Sequence, residues 1–217
     1  MRRTPVPARR PAAGILTMLV LLGAVVAPGT ARATEPPTAL LNEWWQWALS
    51  FPAAMNPMLD RSGLRCTLGQ RGPLWFFAGN TGGRTVRTCT LPAPARVLIP
   101  VHGSFCIPDE QVSEQQCLDA AVADWSSFVL AEATLDGVPQ PLIEQPPVPG
   151  ESVFTVTIPR NGVFGLKPGL YRATVAAGRW AIVDLPQPGL YALRVRARDG
   201  AGFAADVTYR LTVAEVN

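Results

Sequence analysis

Histidine is all but missing from this chain: His102 is the only one among 217 residues. One imidazole cannot supply the set of histidines that a typical catalytic zinc takes, or the two that a non-haem iron site needs beside its carboxylate. Ser104 stands two residues after His102, but the G-x-S-x-G elbow is absent. On an extended segment two such residues face one side without approaching as nucleophile and base, so His102 is expected to hydrogen-bond at a loop edge. Nor is there a phosphate loop, because Gly79-Asn80-Thr81-Gly82-Gly83-Arg84-Thr85 lacks the G-K-[ST] ending; it reads as a hairpin turn. Charged residues are sparse at 16%, against 48% hydrophobic, which is the wrong balance for a disordered chain. No cysteine precedes Cys66, so the N-terminal region has nothing to acylate, and the four cysteines lack the C-x2-4-C spacing of a zinc site.

What the chain has in quantity is proline and glycine, 22 and 19. They divide it into short elements with many turns and favour β structure over a helical bundle. The length suits one ordinary domain with a real core.

The first segment is a different kind of sequence. Arg2, Arg3, Arg9 and Arg10 precede an apolar run at 14–27, and Ala31-Arg32-Ala33 supplies small residues at the −3 and −1 positions of a cleavage site. That run is too short to span a bilayer core of about 30 Å comfortably as a helix, which favours a cleaved export signal over a retained anchor. Residues 1–33 are therefore expected to be removed, leaving 34–217 as a single domain that is secreted, periplasmic or held in the cell envelope. Five arginines and no acid leave with the signal. The whole chain carries 19 basic and 16 acidic side chains, so 14 and 16 remain and the net charge moves from +3 to −2. The apparent affinity for nucleic acid or anionic membranes belongs to the signal, and no transmembrane segment is expected after cleavage.

In an oxidising compartment an even number of cysteines points to disulfides. Cys66 with Cys89 and Cys106 with Cys117 is the expected pairing, because 72–91 reads as one hairpin that brings the first two together. The second bridge would staple a polar loop at 107–116 that has little apolar material to order it.

Periodicity assigns most of the rest. Leu40, Trp44, Trp47 and Phe51 fall on one face of a helix at about 38–51, which Pro52 ends. Leu98-Ile99-Pro100-Val101 ends a buried strand with an edge or bulge at Pro100. Further strands are expected at 128–135 and 153–158, each followed by a turn pair, Asp136-Gly137 and Asn161-Gly162. The five prolines at 139–150 make an extended crossing loop. Leu193, Val195 and Ala197 alternate with arginines, and Val207, Tyr209, Leu211 and Val213 alternate with polar residues, which describes a terminal hairpin with one buried face. Pro168-Gly169-Leu170-Tyr171 returns as Pro188-Gly189-Leu190-Tyr191, one turn-into-strand solution used twice. The expected fold is an all-β sandwich, immunoglobulin-like or jelly-roll-like, with one N-terminal helix and two disulfides.

Several motifs stand together: Trp44-Trp45-Gln46-Trp47, Asn56-Pro57, Asp60-Arg61-Ser62-Gly63 with Cys66, Gly69-Gln70-Arg71-Gly72, Trp75-Phe76-Phe77-Ala78-Gly79 and the closing 206–213. In these the chain resembles a group of exported bacterial proteins of no assigned activity. The resemblance implies an exported all-β domain and brings no catalytic residue. The terminal hairpin is also similar to those of many extracellular immunoglobulin-like modules.

The candidate sites are few. Asp109, Glu110 and Glu114 lie in the most acidic stretch and offer Ca²⁺ its oxygen ligands, although D-x-[DN]-x-[DN]-G is not matched; a solvated face is the plainer reading and no other cofactor is implied. Trp45 lies off the packed helix face and Trp75 lies in an apolar run; exposed, they would stack on sugars. Arg194, Arg196 and Arg198, with Arg210 across the hairpin, form a basic stripe suited to acidic glycans or lipids. These features describe a non-catalytic binding or structural module of the cell envelope, whose partner is an extracytoplasmic glycan or protein. The alternatives are a carbohydrate-active hydrolase using paired acids and an inhibitor or partner-binding protein presenting the Cys106–Cys117 loop.

Overall fold

A computed structural model describes residues 38–215; the expected export signal lies outside them, as do 34–37. Along the chain, α1 (Thr38–Leu49) is followed by β1 (Leu74–Phe76), β2 (Gly83–Pro92), β3 (Ala95–Cys106) and α2 (Glu114–Ser127). Then come β4 (Phe128–Leu135), β5 (Val138–Pro139), β6 (Ile143–Gln145), β7 (Phe154–Ile158) and β8 (Gly169–Ala173). The long strands β9 (Val175–Leu185), β10 (Gly189–Asp199) and β11 (Ala204–Ala214) close it. No described helix is long and apolar enough to cross a membrane.

The strands form a four-stranded sheet in the order β1-β3-β9-β6, a five-stranded sheet in the order β2-β11-β10-β4-β5, and the pair β7-β8. Alternation dictates how the two large sheets meet. Leu193, Val195 and Ala197 of β10 and Val207, Tyr209, Leu211 and Val213 of β11 point inward onto Val97, Ile99 and Val101 of β3 and Ala181, Val183 and Leu185 of β9. The five-stranded sheet keeps a polar outer face. The four-stranded sheet does not: Leu98 and Trp180 on its second face pack beneath Trp44, Trp45 and Trp47 of α1 and against Phe154, Val156 and Ile158 of β7. Val97 to His102 is therefore an unbroken buried run, as expected of a strand covered on both sides.

Three sequence expectations need correction. First, 72–91 is not a hairpin. β1 pairs in parallel with β3, and β2 pairs in parallel with β11, so the two strands belong to different sheets. Phe77 and Ala78 between them are buried, and Arg87 donates to the carbonyls of Ala78 and Gly79, which holds this stretch as a crossing between sheets. Second, the described residues form two α-helices where one was expected; a Ser113–Gln116 capping box starts α2. Third, Trp45 is buried at 4% exposure, because it wedges between Trp180 and Phe105.

Both expected disulfides form, Cys66–Cys89 and Cys106–Cys117. The first closes because the 60–66 turn lies on β2, where a Cβ at Gly63 would sit 2.2 Å from the Thr88 carbonyl oxygen. Pro139 lies in the five-stranded sheet and Gln145 in the four-stranded one, so the proline-rich segment does cross between them. The two Pro-Gly-Leu-Tyr copies open β8 and β10 alike, each with its leucine exposed.

Candidate functional site

The register of β3 against β9 slips between Pro100 and His102. Proline has no N–H to give the ladder, and a bulge at such a point re-aims the residues that follow. His102 is thereby buried inside a long strand, at 7% exposure, and not at the loop edge expected for it. Gly103 next to it is small of necessity, since a Cβ there would lie 3.1 Å from the Trp45 ring.

Beside this bulge opens a cleft of about 410 Å³. Trp44, Trp45, Gly103 and Ser104 line it, together with Asn80 and Thr81 and with Asp124, Phe128, Asp199 and Phe203. Two aromatic chains run into it. One passes from Trp180 through Trp45 and Phe105 to Phe164, with neighbouring rings 4.8–6.3 Å apart. The other stacks His102 on Phe128 at 3.5 Å between centroids and continues to Phe203 at 6.0 Å. Phe164 is 54% exposed and holds φ at +63°, a left-handed conformation that costs a bulky residue roughly 1–2 kcal/mol. Phe203 is set by Asp199, whose Oδ1 accepts from the backbone N–H groups of Ala201 and Phe203.

The polar centre of the cleft is the pair His102 Nε2 and Asp124 Oδ2, 2.7 Å apart. Burial is the largest influence on Asp124 and pushes its carboxyl up. The His102 hydrogen bond and charge outweigh it and hold the group below its ordinary value. Against an ionised Asp124, His102 donates from Nε2, which leaves Nδ1 as its second ring nitrogen. That Nδ1 is buried without a hydrogen bond, as are Trp45 Nε1 and Ser104 Oγ. Ser104 does not bond His102, so His102 and Ser104 do not form a nucleophile–base pair.

Of the site residues expected from sequence, only Trp45 lines this cleft. Trp75 is half-buried and packs against the inter-sheet core. The arginine stripe does share one outward face, for the register sets Arg210 opposite Ala192 and Arg194 opposite Thr208. Two of its charges are paired, Arg194 with both carboxylate oxygens of Asp206 at 2.8 and 2.7 Å, and Arg196 with Glu132. Arg198 and Arg210 are exposed. In the acidic stretch, Asp109 Oδ1 accepts from the N–H groups of Gln111 and Val112, Glu114 pairs with Arg172 at 3.1 Å, and Glu110 is exposed. Among the described residues no three metal-binding side chains converge.

His102 as a buried partner, Asp124, Phe128, Phe164 and Phe203 were missed by sequence reasoning. The one visible hint was a lone histidine on the strand preceding an acidic stretch. No protein-family model, curated protein or solved structure matches this chain.

Proposed function

We propose that this chain is an exported, non-catalytic binding module that takes a small molecule in the cleft beside the β3 bulge. The observation that carries the reading is Phe164, a large apolar side chain held more than half exposed, in a strained conformation, at the rim of an aromatic-lined cleft. Strain of this kind clusters at active sites and ligand clamps. The buried His102 Nδ1 and Trp45 Nε1, without a hydrogen-bond partner among the described residues, both belong to side chains that line the cleft. The volume is that of a small-ligand pocket. Export rests on the signal-like 1–33, with cleavage after Ala33, and on two disulfides of the kind that persist outside the cytoplasm. Membership of the exported group with the Trp-rich helix, and an immunoglobulin-like or jelly-roll-like arrangement of the two sheets, belong to the same reading.

The hydrolase alternative has two carboxylates in one cleft in its favour, Asp124 and Asp199. It needs a general acid with a raised pKa, and Asp124 is shifted the other way. A fragment screen by heteronuclear NMR tests the binding reading. Shifts should cluster on Phe164, Phe203, Phe128 and His102 and disappear in Phe164→Ala; clustering elsewhere overturns it. Release of reducing ends from a glycan panel would favour the hydrolase.

A further inference from the structure

Resting on the cleft reading, we infer that its ligand is a small organic cation, an amine or quaternary ammonium group on an apolar body. The inference comes from the charge and chemistry of the lining. Asp124 and Asp199 both face the cleft, and none of the side chains lining it is Lys or Arg. His102, the one lining group able to become cationic, is already committed through Nε2 to Asp124.

Each carboxylate keeps an oxygen for a guest. Asp124 uses Oδ2 on His102 and Asp199 uses Oδ1 on the backbone of its own turn, and no hydrogen bond among the described residues occupies Asp124 Oδ1 or Asp199 Oδ2. An anion entering here would meet two carboxylates, and the one group able to offset them, His102, is already engaged by Asp124. A neutral apolar guest would strip water from those oxygens and return nothing for it. A cation answers both carboxylates while Phe164 and Phe203, which line the cleft, supply the electron-rich rings that attract it. The apolar body then takes the place of water over Trp44, Trp45, Val195 and Val207, which also line the cleft.

The test is a calorimetric titration of the purified protein at neutral pH with three probes of similar size: phenethylamine, phenethyl alcohol and 3-phenylpropionate. Benzyltrimethylammonium is added as a fourth. The amine should bind about tenfold more tightly than the alcohol, as a desolvated carboxylate contact with a cation–π contact predicts, and the carboxylate probe most weakly. If the quaternary probe equals the amine, ring faces dominate; if it is weaker, hydrogen bonding to Asp124 and Asp199 does. Both outcomes support a cationic guest. Asp199→Asn and Asp124→Asn, each checked for a native melt, should erase the preference for charge and leave binding of the alcohol. Should the alcohol bind as well as the amine, with Phe164→Ala weakening it, the cationic ligand is wrong and the cleft stands. Should no probe bind, both readings fall.

Discussion

The two disulfides secure regions of opposite character. Cys66–Cys89 joins the 60–66 turn to β2 within the core between the sheets, where Arg87 fastens the same turn again. Buried at 1% exposure, Arg87 donates to the carbonyls of Met58, Asp60, Ala78 and Gly79 and to the Tyr209 hydroxyl. Cys106–Cys117 joins the end of β3 to α2, and α2 buries only Cys117 and Ala121. Its other ties are a small apolar cluster in which Val112 and Leu118 pack on Cys117 and Ala121, and separable contacts of Asp124 on His102, Glu114 on Arg172, and Trp125 beneath the Arg179 guanidinium at 3.9 Å. The first region is held many times over. The second, which carries one wall of the cleft, is held by a staple and a few side chains, and so belongs among the segments that open first.

The largest test of that contrast is Arg87→Ala. It takes the Arg87 donor from the carbonyls of Met58, Asp60 and Gly79, leaves Ala78 only the Tyr209 hydroxyl, and opens a cavity among them. A loss of about 3–5 kcal/mol is expected, read from urea unfolding, and Arg87→Lys should recover only part because an ammonium cannot span the same fork of acceptors. A loss below about 1 kcal/mol would break the claim that this region is over-determined.

Removing the disulfides one at a time sharpens the comparison. Cys66→Ala with Cys89→Ala should cost about 3 kcal/mol, and Cys106→Ser with Cys117→Ser somewhat less, because its loop is shorter, with separations of 23 and 11 residues. The difference lies in where the loss appears. Hydrogen exchange should rise throughout both sheets for the first pair. For the second it should rise about tenfold or more in α2 while β10 and β11 keep their protection. Uniform exchange in both variants would show that α2 is no weaker than the core.

The same contrast explains which parts were legible. The alternation at 191–198 and 207–213 predicted β10 and β11 because one face is buried and the other wet, so the pattern records the environment directly. Cys66–Cys89 was paired correctly for a reason the structure replaces, since the supposed hairpin strands lie in different sheets. Arg87 was readable in principle: it occupies an inward position of β2, two before Cys89 and four before Leu91. Helix α2 was missed because its apolar stripe is thin, although Ser113 and Gln116 announced its start. The cleft could not be read at all. His102, Asp124, Phe164 and Phe203 come from four separate segments, and only the bulge at Pro100, the staple on α2 and the turn at Asp199 bring them together. Trp45 was chosen for its exposure and reaches the cleft through burial.

A smaller effect separates strain kept at the cleft from strain relieved in the core. Phe164→Gly removes the penalty of a left-handed bulky residue and gives back some freedom to the unfolded chain. Since Phe164 is mostly exposed, little packing is lost with it. Stability should be unchanged or rise by up to about 1 kcal/mol, while ligand binding weakens. A fall beyond about 1.5 kcal/mol would mean that Phe164 is a packing residue, and the rim would lose its functional reading.

Acid provides the finest comparison, because each region holds one carboxylate below its ordinary value. Burial acts most strongly on Asp60 and pushes it up, but hydrogen bonds from the Arg65, Ser62 and Gly63 backbone and the Ser62 hydroxyl prevail; Asp124 is held low chiefly by His102, against its own burial. A carboxyl that binds its proton less readily in the folded chain than in the unfolded one adds stability that is fully present above the unfolded value of about 3.9. That contribution is lost as pH falls through the lower folded value. Melting temperature should therefore decline on acidification below about pH 4, and both Asp60→Asn and Asp124→Asn should flatten the decline. Asp60 is 3% exposed and its carboxylate holds the 60–65 turn together through Ser62 and Arg65, whereas the Asp124 side chain is 37% exposed and screened by solvent. Asp60→Asn should thus flatten the profile more, and Asp124→Asn should show itself mainly as faster exchange in α2. If Asp124→Asn flattens it more, α2 is secured by the ion pair above its disulfide, and protonation rather than reduction is what frees the wall of the cleft.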